Sequence, residues 1–123
     1  MAVGNEHSCA VMTDDSLWCW GRNYYGEVGN GNIATQSSEY ELSPVEVDVQ
    51  YYAPIVALSA GYRSTCSLHD DGMLNCWGWN NDGQVGDGLS SDQSTPTTIQ
   101  LEGSTEATWI SSGYQSTCAT GSD

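Results

Sequence analysis

Five cysteines are the residues of this chain whose type and spacing suggest a specific chemistry. Cys9 and Cys19 stand ten residues apart, Cys66 and Cys76 repeat that spacing, and Cys118 has no partner at the same distance. The spacing differs from the C-x-x-C pattern of zinc ribbons and redox motifs. A metal site would require clustered ligands, and buried free thiols remain an alternative. The spacing favours disulfides.

A β-hairpin supplies the geometry that such a disulfide needs. The turn is centred on Asp71 and closed by Gly72, because glycine adopts a left-handed conformation at no steric cost. This register places Cys66 directly opposite Cys76, and opposite residues on paired strands have Cβ atoms about 4.5–5.5 Å apart. A first hairpin centred on Asp14 has the same register. The predicted disulfides are Cys9–Cys19 and Cys66–Cys76, and the predicted unpaired thiol is Cys118.

The stretch from Gly61 to Gly88 occurs more than once in the chain. The same motif begins earlier, at Gly4, and a third time at Gly113. The first two copies share one set of residues, which in the first copy are Gly4, Cys9, Leu17, Cys19, Trp20, Gly21, Asn23, Gly26, Val28, Gly29 and Gly31. A repeat of roughly 50 residues is typical of a propeller, a solenoid or an array.

The repeated pattern, G-x-x-x-S/T-C-x-L and then C-W-G-x-N-x-x-G-Q-x-G-x-G, resembles the regulator-of-chromosome-condensation (RCC) repeat family. It looks like the cysteine-paired form of the repeat in secreted bacterial proteins. The resemblance implies an all-β fold, a β-propeller whose blades have four antiparallel strands and usually number seven. This chain departs from the family in two ways. It holds only about two and a third repeats, and Glu27 replaces the glutamine that the second copy keeps as Gln84.

The strand patterns predict how the chain is divided into blades. Residues 44–49 alternate apolar and acidic side chains and predict an outer strand, whereas the apolar run 55–60 predicts an inner strand. The polar residues 32–43 predict an exposed loop. We predict a partial blade over residues 1–43, a complete blade over 44–95 and a truncated blade over 96–123, without helices.

The chain is strongly acidic, with 2 Lys and Arg residues against 16 Asp and Glu and a net charge of −14. Its two arginines are Arg22 and Arg63. Nucleic-acid binding depends on Lys and Arg contacts to phosphates, so the composition predicts no nucleic-acid partner. Solubility explains the acidity, and a specific site for a cation or a basic protein is the alternative.

The predicted disulfides indicate an oxidising compartment, so we expect an extracellular or cell-surface location. Residues 1–5 lack the basic and apolar regions of a signal peptide, which predicts a mature or excised piece. No apolar run approaches the ~20 residues that a membrane-spanning helix requires.

Catalytic residues are not indicated. The two histidines, His7 and His69, do not recur in the other copies, and a lone histidine at a turn is more often a surface residue than a general base. The acidic turns are explained by turn chemistry, and no EF-hand loop is present. We therefore predict no enzyme activity, no metal and no cofactor.

Aromatic residues in the loops are the candidate binding site. Tyr24, Tyr25, Trp79 and Tyr114 are predicted to lie on an exposed rim, where aromatic side chains suit protein or sugar binding. The sequence favours a non-catalytic extracellular propeller segment that presents loops to a protein or glycan ligand. Two alternatives remain: a building block of a self-assembling filament or ring, and an inhibitor of a secreted enzyme. Association with further blades, of the same chain or of a homo-oligomer, is expected.

Overall fold

The computed structural model describes residues 1–33, 39–49, 53–104 and 106–122. Within these ranges the chain forms three antiparallel sheets. The strands are β1 (Ala2–Val3), β2 (His7–Val11), β3 (Leu17–Arg22), β4 (Tyr40–Val47), β5 (Ile55–Ala60), β6 (Ser64–His69), β7 (Leu74–Gly78), β8 (Gln93–Ile99), β9 (Ala107–Ser112) and β10 (Thr117–Gly121).

The strands follow one another through the sheets in chain order. Sheet one has the order β1-β2-β3-β4, sheet two has β5-β6-β7-β8, and sheet three has β9-β10. Glu102–Ser104 forms a short 3-10 helix, and no α-helix occurs in the described ranges. The prediction of an all-β fold with four-stranded antiparallel blades is confirmed.

The sheets divide the chain at other points than the sequence predicts. β4 pairs with β3, with Leu17 opposite Val47, so the strand predicted at residues 44–49 completes sheet one and does not open the second blade. β3 has a free edge after pairing with β2, and β4, the next strand along the chain, pairs with that edge. The sheets therefore span residues 2–47, 55–99 and 107–121, in place of 1–43, 44–95 and 96–123.

The outer strands also begin earlier than predicted. β4 starts at Tyr40, inside the stretch 32–43 that reads as a loop, and residues 34–38 of that stretch lie outside the described residues. The register between β3 and β4 shifts between Cys19 and Gly21. This irregularity interrupts the alternation on which a sequence-based assignment depends.

The two hairpins have the predicted register. Cys9 lies opposite Cys19 and Cys66 opposite Cys76. Gly72 has a φ of 83°, in the left-handed region, and its N–H donates to the oxygen of His69 at 3.0 Å. In the first hairpin the equivalent residue is Asp15, which is left-handed too, with a φ of 66°. Aspartate tolerates this conformation better than most residues.

Sheet two lies between the other two sheets. Every residue of β6 and β7 is buried, whereas β2 and β3 contain partly exposed residues between buried ones. Continuous burial shows that both faces of sheet two are covered. The core between sheets one and two contains Cys9, Leu17, Cys19, Val28, Val47 and Trp77. The core between sheets two and three contains Cys66, Leu68, Leu74, Cys76, Val85, Ile99, Ala107 and Ile110.

Glycine backbones bring the sheets together at their inner turns. Asn5 N–H donates to the oxygen of Gly61 at 3.3 Å, and Tyr62 N–H donates to the oxygen of Gly113 at 3.2 Å. A Cβ on Gly4 would lie 2.6 Å from the Gly61 oxygen, and one on Gly61 would lie 2.5 Å from the Gly113 oxygen. The repeated glycine is required by this close approach of two backbones.

Candidate functional site

The loops after β3 and β7 and the turns before β6 and β10 contact one another through aromatic side chains at one end of the sheets. We call this surface the aromatic rim, and its members are Tyr24, Tyr25, Tyr62, Arg63, Trp79 and Tyr114. The structure thus brings together all four residues that the sequence predicts for a binding rim.

Arg63 is the centre of the aromatic rim. Its guanidinium carbon lies 4.6 Å from the ring centre of Tyr62 and 4.8 Å from that of Tyr25. The ring of Trp79 is 5.5 Å away. The guanidinium also donates to the hydroxyl of Tyr25 at 3.1 Å and to that of Tyr62 at 3.3 Å. Arg63 thereby joins the loops of sheets one and two. Each cation–π contact contributes about 0.5–1 kcal/mol at an exposed site.

Ring contacts extend the rim on either side of Arg63. The rings of Tyr24 and Tyr25 meet edge to face, with centres 4.7 Å apart. The rings of Tyr62 and Tyr114 stack with centres 4.2 Å apart and planes inclined by 25°. Tyr24 is 46 % exposed and Tyr114 is 64 % exposed, so the rim ends in two accessible aromatic surfaces.

The two arginines have different electrostatic surroundings. Arg22 lies 2.6 Å from Oε2 of Glu6 and 3.1 Å from Oε1 of Glu39. Among the described carboxylates none lies within salt-bridge distance of Arg63, and the buried Nε of Arg63 has no hydrogen-bond partner. Arg22 ties strands and loops of sheet one together, whereas Arg63 keeps its charge available at the rim.

Two buried asparagines hold the loops that carry the rim. Oδ1 of Asn23 accepts the N–H of Val28 at 3.0 Å, and Oδ1 of Asn80 accepts the N–H of Val85 at 3.0 Å. Both asparagines are almost fully buried. These side-chain bonds satisfy backbone N–H groups that have no partner in a strand ladder. The same bond occurs in both loops, so the same interaction holds each of them.

Glu27 and Gln84 occupy equivalent positions in these loops. Oε2 of Glu27 accepts the N–H of Tyr25 at 2.7 Å, and Oε1 of Gln84 accepts the N–H of Asp82 at 3.0 Å. Oε1 of Glu27 is buried without a hydrogen-bond partner. Burial raises the pKa of the Glu27 carboxyl above its ordinary value, and hydrogen bonds from the backbone and the charges of both arginines oppose the shift only in part.

The sequence interpretation missed two members of the rim, Tyr62 and Arg63. A signal for Tyr62 was present, because it follows Gly61 as Tyr114 follows Gly113. Arg63 has no such signal, since the third copy has Gln115 at that position. Its place between three rings arises from the stacking of two sheets, which local sequence does not reveal.

The cysteines have the predicted arrangement in the structure. Disulfides join Cys9 to Cys19 and Cys66 to Cys76, and both lie in the cores between sheets. Cys118 is an exposed free thiol on β10. Each disulfide therefore links the two strands of one hairpin within the core.

Both histidines are buried, contrary to the expectation of surface residues. The Thr65 hydroxyl donates to the main-chain oxygen of Glu27 at 3.0 Å. Nε2 of His7 lies 2.8 Å from the same hydroxyl and must therefore be the donor to it. Burial lowers the pKa of His7 from 6.5 to about 4. His69 packs against Asn75, whose amide lies 3.1 Å from its Nε2.

Metal ligands are not clustered in the part of the chain that the structure describes. No group of three or more His, Cys, Asp or Glu side chains there could hold an ion. Among the same residues, no helix has the length and apolar character needed to cross a membrane.

Family sequence models match most of the chain. The family described as "Regulator of chromosome condensation (RCC1) repeat" is matched by one model at residues 1–27 and 55–84 and by a second at residues 71–120. The chain belongs to the RCC1 repeat family. The matched residues include both disulfide hairpins and all six residues of the aromatic rim.

Several RCC1-type proteins are similar to this chain in sequence. The ultraviolet-B receptor UVR8 of Arabidopsis thaliana is 32 % identical over 97 % of this chain and 26 % of its own length. The RCC2 homolog of Danio rerio is 33 % identical over 79 % of this chain and 19 % of its length. Human HERC3, a probable E3 ubiquitin-protein ligase, is 28 % identical over 95 % of this chain and 11 % of its length. The chain therefore spans about a quarter or less of these relatives and corresponds to a repeat domain within them.

Solved RCC1-type structures share the fold. Human WBSCR16 superposes with a TM-score of 0.87 at 22 % identity, over 98 % of this chain and 30 % of that one. Prp20p of Saccharomyces cerevisiae gives a TM-score of 0.83 at 20 % identity, over 98 % of this chain and 30 % of that one. The arrangement of the three sheets is that of successive RCC1-type propeller blades.

Proposed function

We propose that this RCC1 repeat domain is a non-catalytic binding module that holds a protein partner on its aromatic rim. The observation that carries the proposal is the position of Arg63 between the rings of Tyr25, Tyr62 and Trp79. It joins loops of two sheets into one continuous surface. Tyr, Trp and Arg dominate binding hot spots, because each combines a large apolar area with hydrogen-bonding groups.

The order of the rim supports this role. Each ring contacts a neighbouring side chain, and the loops behind the rings are fixed by buried asparagines. Fewer side chains then lose rotamer freedom when a partner binds, which lowers the entropic cost of association. Tyr24 and Tyr114 supply the exposed area that a partner would cover.

Similar proteins support a binding role as well. The structure of Prp20p is described together with its binding to Gsp1p and histones, and yeast RCC1 (Prp20) is also solved with Kap60 bound. This chain covers 30 % and 28 % of those chains. We carry over only the general role, the binding of another protein.

We further propose an extracellular or cell-surface location. The two disulfides support it, because such bonds persist in oxidising compartments. A glycan is the second ligand class for this setting. The stacked rings of Tyr62 and Tyr114 present apolar faces of the kind on which sugar rings pack.

Site-specific photo-crosslinking tests the proposal. Benzoylphenylalanine is placed at position 114 in the rim, or as the control at Trp109, which is 55 % exposed on β9 outside the rim. Each protein is irradiated with extracellular and cell-surface proteins of the source organism. We expect a discrete crosslinked species from position 114 that is absent from position 109. Equal products from both positions would contradict the proposal.

A matched arginine series sharpens the result. In the position-114 protein, Arg63→Ala is expected to abolish the crosslink. Arg63→Lys keeps the charge but loses the planar stacking, so it should weaken the crosslink as well. A glycan array probed with the original protein and Tyr114→Ala examines the sugar alternative. If the crosslinked partner is a secreted enzyme, titration of its activity tests an inhibitory role.

Self-assembly is a second candidate function, and one observation favours it. In the described residues β4 is an edge strand that pairs only with β3, and its Tyr40 and Leu42 are 46 % and 94 % exposed. An exposed apolar edge strand promotes association with other chains. Light scattering during size-exclusion chromatography distinguishes the two functions. A discrete particle supports the binding module, and a distribution of larger species supports a filament or ring.

A further inference from the structure

One pair of equivalent positions carries different side chains in the first two copies of the repeat. Arg63 occupies the position of Glu6, and Trp79 occupies that of Arg22. In the first copy the pair is an ion pair, with 2.6 Å between Arg22 and Oε2 of Glu6. In the second copy the guanidinium carbon of Arg63 lies 5.5 Å from the ring centre of Trp79. The second copy therefore has an aromatic contact where the first has an ion pair.

The other carboxylate that binds Arg22 has no counterpart beside Arg63 either. Glu39 lies 3.1 Å from Arg22. The registers of β3 with β4 and of β7 with β8 make Ser91 the equivalent of Glu39 in the second copy. Across the described residues, no carboxylate is within salt-bridge distance of Arg63. Its positive charge is therefore not paired within the chain.

The guanidinium of Arg63 retains N–H groups that a ligand can use. Each terminal nitrogen of a guanidinium carries two N–H groups. Nη1 donates one to the hydroxyl of Tyr25, and Nη2 donates one to the hydroxyl of Tyr62. Each of these nitrogens keeps a second N–H. A carboxylate accepts such a pair through its two oxygens, because the spacing of the oxygens matches the fork of the guanidinium.

The charge of the chain favours a single carboxylate over other charged ligands. The net charge of −14 repels nucleic acids and sulfated glycans, which carry many negative charges. It also repels a second copy of the chain, which has the same charge. A cationic group is repelled locally by Arg63. One carboxylate can pair with this arginine while adding only one negative charge.

Arg63 lies within the row of rings and not at its end. Tyr25 contacts Arg63 and also the ring of Tyr24. On the other side, Tyr62 contacts Arg63 and the ring of Tyr114. Aromatic surface therefore continues from the guanidinium in both directions. An Asp or Glu inside a peptide segment fits this arrangement, whereas a terminal carboxylate has chain on one side only.

We propose that Arg63 binds the side-chain carboxylate of one Asp or Glu in the protein partner, and that the residues beside this acid pack on the neighbouring tyrosines. The proposal rests on the proposed function, because it names the group that the aromatic rim recognises. The field of the whole chain and the contact at Arg63 favour opposite charges. The binding segment therefore contains one acidic residue and is otherwise uncharged or basic.

A peptide selection tests the proposal. Random linear peptides, displayed as fusions without a free carboxyl terminus, are selected on the original protein. Those that bind folded Trp79→Ala at least about tenfold more weakly are rim ligands. We expect rim ligands to share one Asp or Glu and to lack a second acid. Rim ligands without an acid would overturn the carboxylate proposal and leave the proposed function intact, whereas the absence of rim ligands would count against both.

Exchange of the shared acid for its amide measures the contact. Amidated synthetic peptides with Glu or Gln, or with Asp or Asn, at this position are compared by fluorescence anisotropy. On the original protein the acidic peptide should bind at least about tenfold more tightly, in keeping with close charge pairs at other interfaces. Equal affinities would overturn the proposal. This comparison requires no change in the protein, so it does not depend on the folding of a variant.

Two arginine variants with the same net charge locate the contact. Arg63→Gln and Arg22→Gln each remove one positive charge, but Arg22 is already bound by Glu6 and Glu39. The affinity ratio of the acidic peptide to its amide should fall to about one in Arg63→Gln, and stay within about twofold of the original value in Arg22→Gln. An equal fall in both variants would indicate an effect of net charge and would overturn the proposal.

Two further results would assign the site to another ligand. A uronic-acid oligosaccharide that binds through Arg63 more tightly than any selected peptide would overturn the proposal in favour of a glycan. A dimer of the chain that dissociates in Arg63→Gln would overturn it in favour of a second copy. Analytical ultracentrifugation of the original protein and the variant measures the second result. A monomer in both supports the proposal.

Discussion

The indole Nε1 of Trp77 donates a hydrogen bond of 2.9 Å to the main-chain oxygen of Glu27, across the interface between sheets one and two. The same oxygen accepts the hydroxyl of Thr65 at 3.0 Å. Trp77 is fully buried, so this bond lies away from water. One carbonyl of the first loop therefore receives two donors from the second sheet and fixes the two sheets relative to each other.

Replacing Trp77 with alanine is expected to destabilise the domain by about 3–5 kcal/mol, the usual cost of removing a large buried aromatic side chain. Trp77→Phe keeps most of the apolar area and loses the hydrogen bond, so its cost should be smaller. Urea unfolding monitored by circular dichroism measures both, with the m-value used to check two-state behaviour.

Trp20 is the matched control for this substitution. It follows Cys19 as Trp77 follows Cys76, but it is only half-buried. Trp20→Ala should cost roughly 1 kcal/mol, the typical effect of a single substitution. Equal losses at both positions would mean that burial between the sheets does not decide the role of the tryptophan.

Gly61→Ala is expected to destabilise the domain by about 1–3 kcal/mol through overpacking. The added Cβ would lie 2.5 Å from the oxygen of Gly113, a backbone atom that cannot rotate away. Gly113→Ala is the control, because its nearest contact is the flexible Oγ of Ser116 at 3.2 Å. Its cost should stay within about 0.5 kcal/mol. Thermal unfolding measures the melting temperatures of both variants. A lower melting temperature for Gly113→Ala than for Gly61→Ala would contradict the prediction.

The hairpins could be predicted from sequence because their register is local. Cys66 and Cys76 are separated by one turn, and the position of Gly72 fixes that turn. The outer strand β4 could not be located as well, since it starts at Tyr40 in a polar stretch and pairs across a register shift.

The site itself could be predicted only in part, because stacking of sheets decides it. Tyr24 and Tyr114 stand out as loop aromatics, but nothing in the neighbouring sequence shows that Arg63 lies between them. Burial of His69 has the same origin, since the acceptor of its Nδ1 is the oxygen of Ala53, 16 residues earlier. Sequence periodicity predicts that neighbouring repeats pack against each other. It does not predict which residues of the two repeats are in contact, because tertiary packing decides that.

His7 is expected to make stability fall as the pH drops from 6.5 toward 4. Its pKa is lowered to about 4 by burial, so in this range the unfolded histidine binds a proton and the folded one does not. The stabilisation is complete above pH 6.5 and amounts to about 3 kcal/mol for this difference in pKa. Urea unfolding at several pH values gives the slope.

The variant His7→Ser isolates this contribution. Serine occupies the equivalent positions as Ser64 and Ser116, so the turn accepts it. The variant will lose some packing at every pH, but its stability should depend less steeply on pH between 4 and 6.5. If the free energy of unfolding depended on pH equally in both proteins, titratable groups other than His7 would cause the loss of stability in acid.

Glu27→Gln is expected to stabilise the domain at neutral and alkaline pH. Burial raises the folded-state pKa of this carboxyl above 4.5, so the unfolded carboxyl ionises first as the pH rises. The contribution of this carboxyl to stability is therefore greatest below pH 4.5 and is lost as the pH rises through its folded-state pKa. Glutamine keeps the acceptor for the N–H of Tyr25 and has no charge to bury, and Gln84 shows that the loop accommodates it.

The reciprocal substitution Gln84→Glu provides the control, because it places an ionisable group at the equivalent position of the second loop. We expect Glu27→Gln to be more stable than the original protein at pH 8 and nearly equal to it at pH 4. Gln84→Glu should be less stable at pH 8, with a smaller loss at pH 4. Urea unfolding at these two pH values measures all three proteins. If the gain of Glu27→Gln were the same at pH 4 and pH 8, ionisation of the buried carboxyl would not be its cause.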